Sequence, residues 1–365
     1  MVNLRIPGPT PVPQEVAEAG ARPMINHRGR PFAAILDRVT KRLQEFFQTS
    51  NDVFILTASG TGAMEAAVVN TLSPGDRVLN ISIGAFGDRF ARIAEAYGAQ
   101  VTRLDFEWGT AADPEEVRRA LAADSSIKAV LVTHNETATG VTNPLEEIAG
   151  VVREADKLLL VDAISSLGSL PIYTDKWGLD FVITGSQKGW MTPPGLAMVS
   201  VSPRAWEAHA QAKMPRFYFD VGQAKDYLAR GQTPWTPAVS VFFAMDHALE
   251  MLARDGLENI YARHRRWGQM VRDGVKALGL ELFADERFAS NTVTSVKVPE
   301  GVDGKALQKL LEDEYDLVVA GGQAKLAGKI IRFGHLGLVS DEDIEAALGA
   351  LAKALPRVGF AVPAS

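Results

Sequence analysis

Phe181-Val182-Ile183-Thr184 runs directly into Gly185-Ser186-Gln187-Lys188-Gly189-Trp190, and Pro193-Pro194-Gly195 follows two residues later. The apolar run reads as a strand, and the Gly- and Pro-rich stretch behind it reads as a tight loop. A lysine at such a junction has two readings. Most lysines are solvated surface residues. One held in a closed, partly desolvated loop gives up its proton more easily and can then attack an aldehyde carbon. Lys188 alone does not choose between them.

Working outward, Asp162 lies twenty-six residues upstream, at the end of Leu158-Leu159-Leu160-Val161. That run reads as a buried strand of a parallel sheet, and an Asp at its carboxyl end faces the crevice where α/β proteins bind ligands. A buried carboxylate is costly without a partner, and a protonated pyridine nitrogen is one. The plainer reading is a helix cap before Ala163-Ile164-Ser165. Further upstream, Ser59-Gly60-Thr61-Gly62 separates the apolar Val53–Leu56 run from an Ala-rich helical stretch. Strand, small-residue turn and helix start form a seat for a phosphate, although many such turns are only caps. The pattern is neither a Walker loop nor a dinucleotide fingerprint. Lysine, aspartate and phosphate seat in this order point to pyridoxal 5′-phosphate (PLP).

At this point the chain resembles the class V aminotransferases, a family of fold-type I PLP enzymes, in the alanine–glyoxylate and serine–glyoxylate (serine–pyruvate) branch. The resemblance runs from Pro7-Gly8-Pro9-Thr10 through Ser59-Gly60-Thr61 and Thr133-His134-Asn135-Glu136-Thr137-Ala138-Thr139-Gly140. It continues through Val161–Gly168 and Gly185-Ser186-Gln187-Lys188 to Ile331-Arg332-Phe333-Gly334. It implies that Lys188 carries the cofactor and shuttles a proton, and that Asp162 pairs with the pyridine nitrogen. Thr137 would bond the phenolic oxygen, and Ser59, Gly60, Thr61 and Gln187 would hold the phosphate. Phe86, where some members carry tryptophan, and Ile164 would cover the two faces of the ring. Arg332 would take the substrate carboxylate in a bidentate fork, with Gly8 also at the substrate. Thr236 would reach the cofactor of a second subunit, so a homodimer is implied.

Each of these residues has a plainer role available. Phe86 reads equally as core, Thr137 as a turn cap, and Arg332 in Lys329-Ile330-Ile331-Arg332-Phe333 as an edge gatekeeper. Alternation sets Arg332 on one face with Ile330 and Gly334, which is unusual for a solvated residue.

The 47% apolar and 22% charged content is that of a globular chain, and 365 residues exceed one compact core. A net charge of −6 argues against nucleic acid as the main partner, and Arg263-His264-Arg265-Arg266 reads as a solvated helix face. No apolar run approaches the ~18 residues of a membrane span, and the amino terminus lacks a signal-peptide core. The expected compartment is the cytoplasm. The absence of cysteine removes disulfides, zinc–thiolate sites, thiol catalysis and the persulfide chemistry of cysteine desulfurases. No metal site is expected.

Strands are expected at Val53–Leu56, Val78–Ile81, Gln100–Leu104, Ala129–Thr133, Leu158–Val161, Phe181–Thr184 and Leu196–Val201, mostly separated by helices. This is an α/β pattern: a mostly parallel seven-stranded sheet between helices. One long helical stretch, roughly Pro237 to Leu278, then gives way to a smaller α+β unit ending in a helix from Asp341. The expected division is an arm over 1–14, a large PLP-binding domain over 15–258 and a small domain over 259–365.

The expected reaction is transfer of the amino group of alanine or serine to glyoxylate or pyruvate, since Arg332 is the single obvious carboxylate binder. Asn26-His27-Arg28-Gly29-Arg30 complicates this, because it resembles the His-Arg pair with which phosphoserine aminotransferases bind substrate phosphate. His27 and Arg28 are therefore candidate substrate contacts, and phosphoserine is an alternative donor. A class V lyase or hydrolase acting on an amino acid is the other alternative.

Overall fold

The computed structural model describes Val2–Pro363; Met1, Ala364 and Ser365, the outer limits of the expected arm and small domain, lie outside the described residues. Its strands in chain order begin with β1 (Asn3–Arg5), β2 (Asp52–Ala58), β3 (Arg77–Ser82), β4 (Gln100–Asp105) and β5 (Ile127–Thr133). A two-stranded hairpin, β6 (Asn135–Glu136) and β7 (Val141–Thr142), precedes β8 (Leu158–Asp162), β9 (Phe181–Gly185) and β10 (Gly195–Val201). The last three are β11 (Val293–Lys297), β12 (Leu317–Gly321) and β13 (Ile330–Gly334).

Seven strands form one sheet in the order β2-β10-β9-β8-β5-β3-β4. β10 is antiparallel to both its neighbours, and the pairs among β3, β4, β5, β8 and β9 are parallel. Successive residues of a strand enter different cores: Phe54, Leu131, Leu160 and Ile183 on one face, Ile55, Val132, Val161 and Val182 on the other. Burial on both faces explains why these strands read as continuous apolar runs. Because β2 and β9 both lie antiparallel to β10, they share a direction, which brings Ser59, Thr133, Asp162 and Lys188 to one end of the sheet.

The second sheet has the order β1-β12-β13-β11. β1 pairs in parallel with Leu317–Val319, so the amino-terminal segment is built into this sheet before crossing to the larger one. The long helical stretch is two helices, Val239–Asp255 and Leu257–Ala277, broken at Gly256, whose φ of 79° belongs to glycine's range. The second helix starts in the large core with Ile260 and Tyr261 and ends in the small one with Trp267, Val271 and Val275. Among the described residues, no helix is long and apolar enough to cross a membrane.

Candidate active site

A cavity of about 120 Å³ opens at the carboxyl ends of β2, β5, β8 and β9, lined among others by Ser59, Thr61, Phe86, Asp162, Gln187 and Lys188. The loop carrying Lys188 is rigid for identifiable reasons. Trp190 is fully buried, and its indole N–H donates to Thr184 Oγ1 at 3.1 Å. The Ser186 hydroxyl donates to the carbonyl of Pro193 and accepts from the amide of Leu196, at 2.7 and 3.2 Å. A Cβ at Gly189 would lie 2.3 Å from Ser169 Oγ, so only glycine lets the loop approach its neighbour.

The Lys188 ammonium donates to the carbonyl of Pro7 at 2.6 Å. Thr10 holds both sides of the peptide: its amide donates to Gln187 O and its hydroxyl to Lys188 O, each at 3.0 Å. Gly8, at φ 127°, lies so close that a Cβ there would meet Nζ at 2.6 Å. Burial lowers the Lys188 pKa to about 8; Asp162 opposes the shift, and Arg332 and Arg89 add to it.

Asp162 accepts from the amide of Ile164 at 2.9 Å and from Thr133 Oγ1 at 3.3 Å. Burial nevertheless raises its pKa to about 6, against the lowering by those two bonds, Lys188 and Arg89. Such a carboxylate lacks a cation in contact, and a protonated ring nitrogen would supply one. Ser59 precedes the helix Gly60–Thr71, whose amino end opens into the cavity. Gln187 lines the same cavity, and its side-chain NH2 is a donor of the kind a phosphate oxygen accepts from. Gly60 has no room for a side chain, since a Cβ would lie 2.5 Å from Ile164 Cδ1. These features together fit an aromatic cation carrying a phosphate.

The Thr137 hydroxyl donates to Ser165 Oγ at 2.9 Å, and its carbonyl accepts from Arg332 Nη1 at 2.9 Å. Arg332 Nε donates to Gly321 O at 2.9 Å, which leaves Nη2 without an acceptor among the described residues. Burial lowers the Arg332 pKa to about 10, with Glu136 pulling it back up. The strand alternation that set Arg332 apart from solvent agrees with its 5% exposure.

Five of the sequence candidates do not line this cavity: Gly8 and Arg332 stand close by, against the Lys188 side chain and on the Thr137 carbonyl, while Arg28, His27 and Thr236 lie elsewhere. Arg28 is held by the carbonyls of Thr233 and Pro234 and by Gln232 Oε1, at 2.5, 3.0 and 3.0 Å. His27 stands beside it, half-buried, and Thr236 is exposed on the same loop that Arg28 grips. Two charged groups at the site escaped the sequence reading. Arg89 lines it, stacked over the Phe86 ring at 4.7 Å and donating to Thr61 Oγ1 at 3.2 Å. Its position three residues after Phe86 on a helix was the available signal. Glu136 is the other, fully buried beneath Phe86.

The open seven-stranded sheet with a lysine, an aspartate and a phosphate seat at one end has the architecture of fold-type I PLP transferases. The chain belongs to the class-V aminotransferase family, whose sequence pattern matches residues 3–345. It is 45% identical to an uncharacterized aminotransferase of Methanocaldococcus jannaschii, over 99% of this chain and 94% of that protein. A soluble hydrogenase small subunit of a Synechococcus strain is 46% identical over 98% of this chain and 94% of its own length. Iron–sulfur clusters are mostly held by cysteine thiolates, and this sequence has none to offer. The serine–glyoxylate aminotransferase of Methylorubrum extorquens is 38% identical over 96% of this chain and 90% of that protein. Among solved structures, the alanine–glyoxylate aminotransferase of a Nostoc species superposes with a TM-score of 0.94 at 33% identity, covering 97% of this chain and 95% of that one.

Proposed function

We propose that this protein is a PLP-dependent transaminase that passes the amino group of a small L-amino acid, alanine or serine, to glyoxylate or pyruvate. The observation that carries the reading is Lys188: a loop lysine at the mouth of the crevice, with its pKa lowered to about 8 opposite the buried Asp162. When bound, PLP supplies the aldehyde that takes up the amino group and a ring that withdraws electrons from the α-carbon. Lys188 would hold the cofactor at its aldehyde and would serve as the base that moves a proton at the substrate α-carbon. Asp162 keeps the ring nitrogen protonated, and Phe86 and Ile164 exclude water from its two faces. Ser59, Gly60, Thr61 and Gln187 hold the phosphate, with Thr137 at the phenolic oxygen. Arg332 takes the α-carboxylate through Nη2, and a single such cation suits a monocarboxylic donor.

The relatives that name glyoxylate support it as the acceptor. The active form is a homodimer in which Thr236, presented on the loop that Arg28 clamps, reaches the partner's phosphate. The test is a half-reaction: the PLP-loaded protein is mixed separately with L-alanine, L-serine, L-phosphoserine and L-aspartate, without a keto acid. Loss of the visible cofactor band with one equivalent of keto acid from alanine or serine supports the reading. Preference for phosphoserine assigns His27 and Arg28 to the substrate instead. Catalytic release of ammonia or a cleaved fragment would replace transamination with a lyase or hydrolase reaction.

A further inference from the structure

Glu136 is a fully buried carboxylate that the proposed chemistry does not use. Its two oxygens are satisfied by backbone alone. Oε2 accepts from the amides of Phe86 and Gly87 at 3.0 and 3.1 Å, and Oε1 accepts from Ala138 at 2.9 Å. The first two amides belong to the opening turn of the helix Ala85–Ala96, where orphan N–H groups and the helix dipole favour an anion. The third belongs to the turn between β6 and β7. The bonds therefore tie two segments that share no backbone ladder.

Room for the carboxylate comes from Gly84. A Cβ there would stand 2.3 Å from Glu136 Cγ and 2.8 Å from Oε2. The glycine's φ is 173°, extended backbone that any residue adopts, so the restriction is steric, and the three atoms nearest to such a Cβ all belong to Glu136.

What lies on either side of this tie makes it functional. On one side, Phe86 presents its ring to the cavity, backed by Arg89 at 4.7 Å. On the other, Thr137 offers its carbonyl to Arg332. We propose that Glu136 is a positioning residue that locks the ring-stacking Phe86 and the carboxylate-binding Arg332 into one geometry, through the Gly84–Gly87 turn and the Thr137 peptide. The inference rests on the transaminase reading, because it assigns the cofactor ring to Phe86 and the substrate to Arg332.

The test is a double-mutant cycle between positions 84 and 136, read by visible circular dichroism of bound PLP, PLP dissociation and donor KM against kcat. Gly84→Ala collides with the carboxylate while leaving its charge in place. It is expected to weaken PLP retention and raise donor KM by about tenfold each, with a smaller change in kcat. Glu136→Ala is expected to do the same. The double variant Gly84→Ala, Glu136→Ala is expected to be no worse than Glu136→Ala, since the collision partner is gone. Glu136→Gln, which keeps the volume but turns one acceptor into a donor facing an N–H, covers the case in which the alanine variant does not fold. Wild-type dichroism and KM in Gly84→Ala, or singles whose effects multiply in the double variant, overturn the inference while the transaminase reading stands. A wild-type protein that binds no PLP overturns both.

Discussion

At Lys188 two demands meet. The amine must be neutral to attack, yet it sits where a carbonyl and a carboxylate both favour its charged form. Burial wins and brings the pKa to about 8 from an ordinary 10.5. At pH 7 about one amine in ten is then neutral, against roughly one in three thousand for a solvated lysine. The rate at which the cofactor-free protein captures PLP should therefore rise with pH and level off above about pH 8, whereas a solvated lysine would continue to about pH 10. Stopped-flow absorbance across that range checks it, and Lys188→Ala should remove the linkage altogether. The buried acids run the other way. The pKa of Asp162 is raised to about 6 from 3.8 and that of Glu136 to about 7 from 4.5, both chiefly by burial. Their contribution to stability is fully present below the unfolded values and is lost as pH rises through the folded ones. A ring cation beside Asp162 reverses its share. The melting temperature of the PLP-loaded protein should thus exceed that of the free protein by a margin that widens from about pH 4 to about pH 7. A margin independent of pH would remove the ring nitrogen from Asp162. Arg332→Lys keeps the charge but loses the fork, so donor KM should rise about tenfold or more with a smaller change in kcat.

At the scale of elements, the phosphate seat depends on a helix start that a side chain would ruin. Gly60→Ala sets a methyl 2.5 Å from Ile164 Cδ1, and both residues line the cavity. Ile164 must yield, so PLP affinity should fall by about tenfold, roughly 1.4 kcal/mol, measured by equilibrium titration of the free protein. These elements were readable in the chain because their signals are local. The inner strands β5, β8 and β9 of the large sheet are apolar runs that need no knowledge of their partners, and Ser340 with Asp343 closes the capping box of the final helix, which begins at the expected Asp341. What was not readable depends on distant partners. Nothing in Asn3-Leu4-Arg5 says that it pairs with Leu317–Val319, and nothing in Leu196–Val201 says that its direction is reversed. Glu136 is the clearest case at the site. Its role is fixed by a missing side chain fifty-two residues away, and a bare glycine in sequence does not say which group fills its space.

At the scale of the whole molecule, the proposed reach of Thr236 to a partner's phosphate would add a hydroxyl to a seat that is poor in cations. Among the described residues near the phosphate seat, the one guanidinium is Arg89, and it is already engaged with Phe86 and Thr61. Elsewhere, Phe217 is 69% exposed and Tyr218 45%, both stacked on Trp235 with ring centroids 4.7 and 6.0 Å away. Three aromatic rings ordered against each other in water form an apolar patch of the kind that a partner covers. The patch adjoins Thr236, and the Thr233–Pro234 carbonyls behind it are held by Arg28. A second copy seated there would explain why a loop rich in exposed aromatics is so firmly braced. The protein should sediment at twice the mass of the chain. Phe217→Asp places a charge in the patch without touching the cavity, so it should shift the protein toward monomer and weaken PLP retention together, because Thr236 leaves the partner's phosphate. Thr236→Ala should separate the two effects: PLP retention falls while the dimer persists. If Phe217→Asp yields a monomer that binds PLP as tightly as the dimer, Thr236 has no part in the site and the cup is complete within one chain.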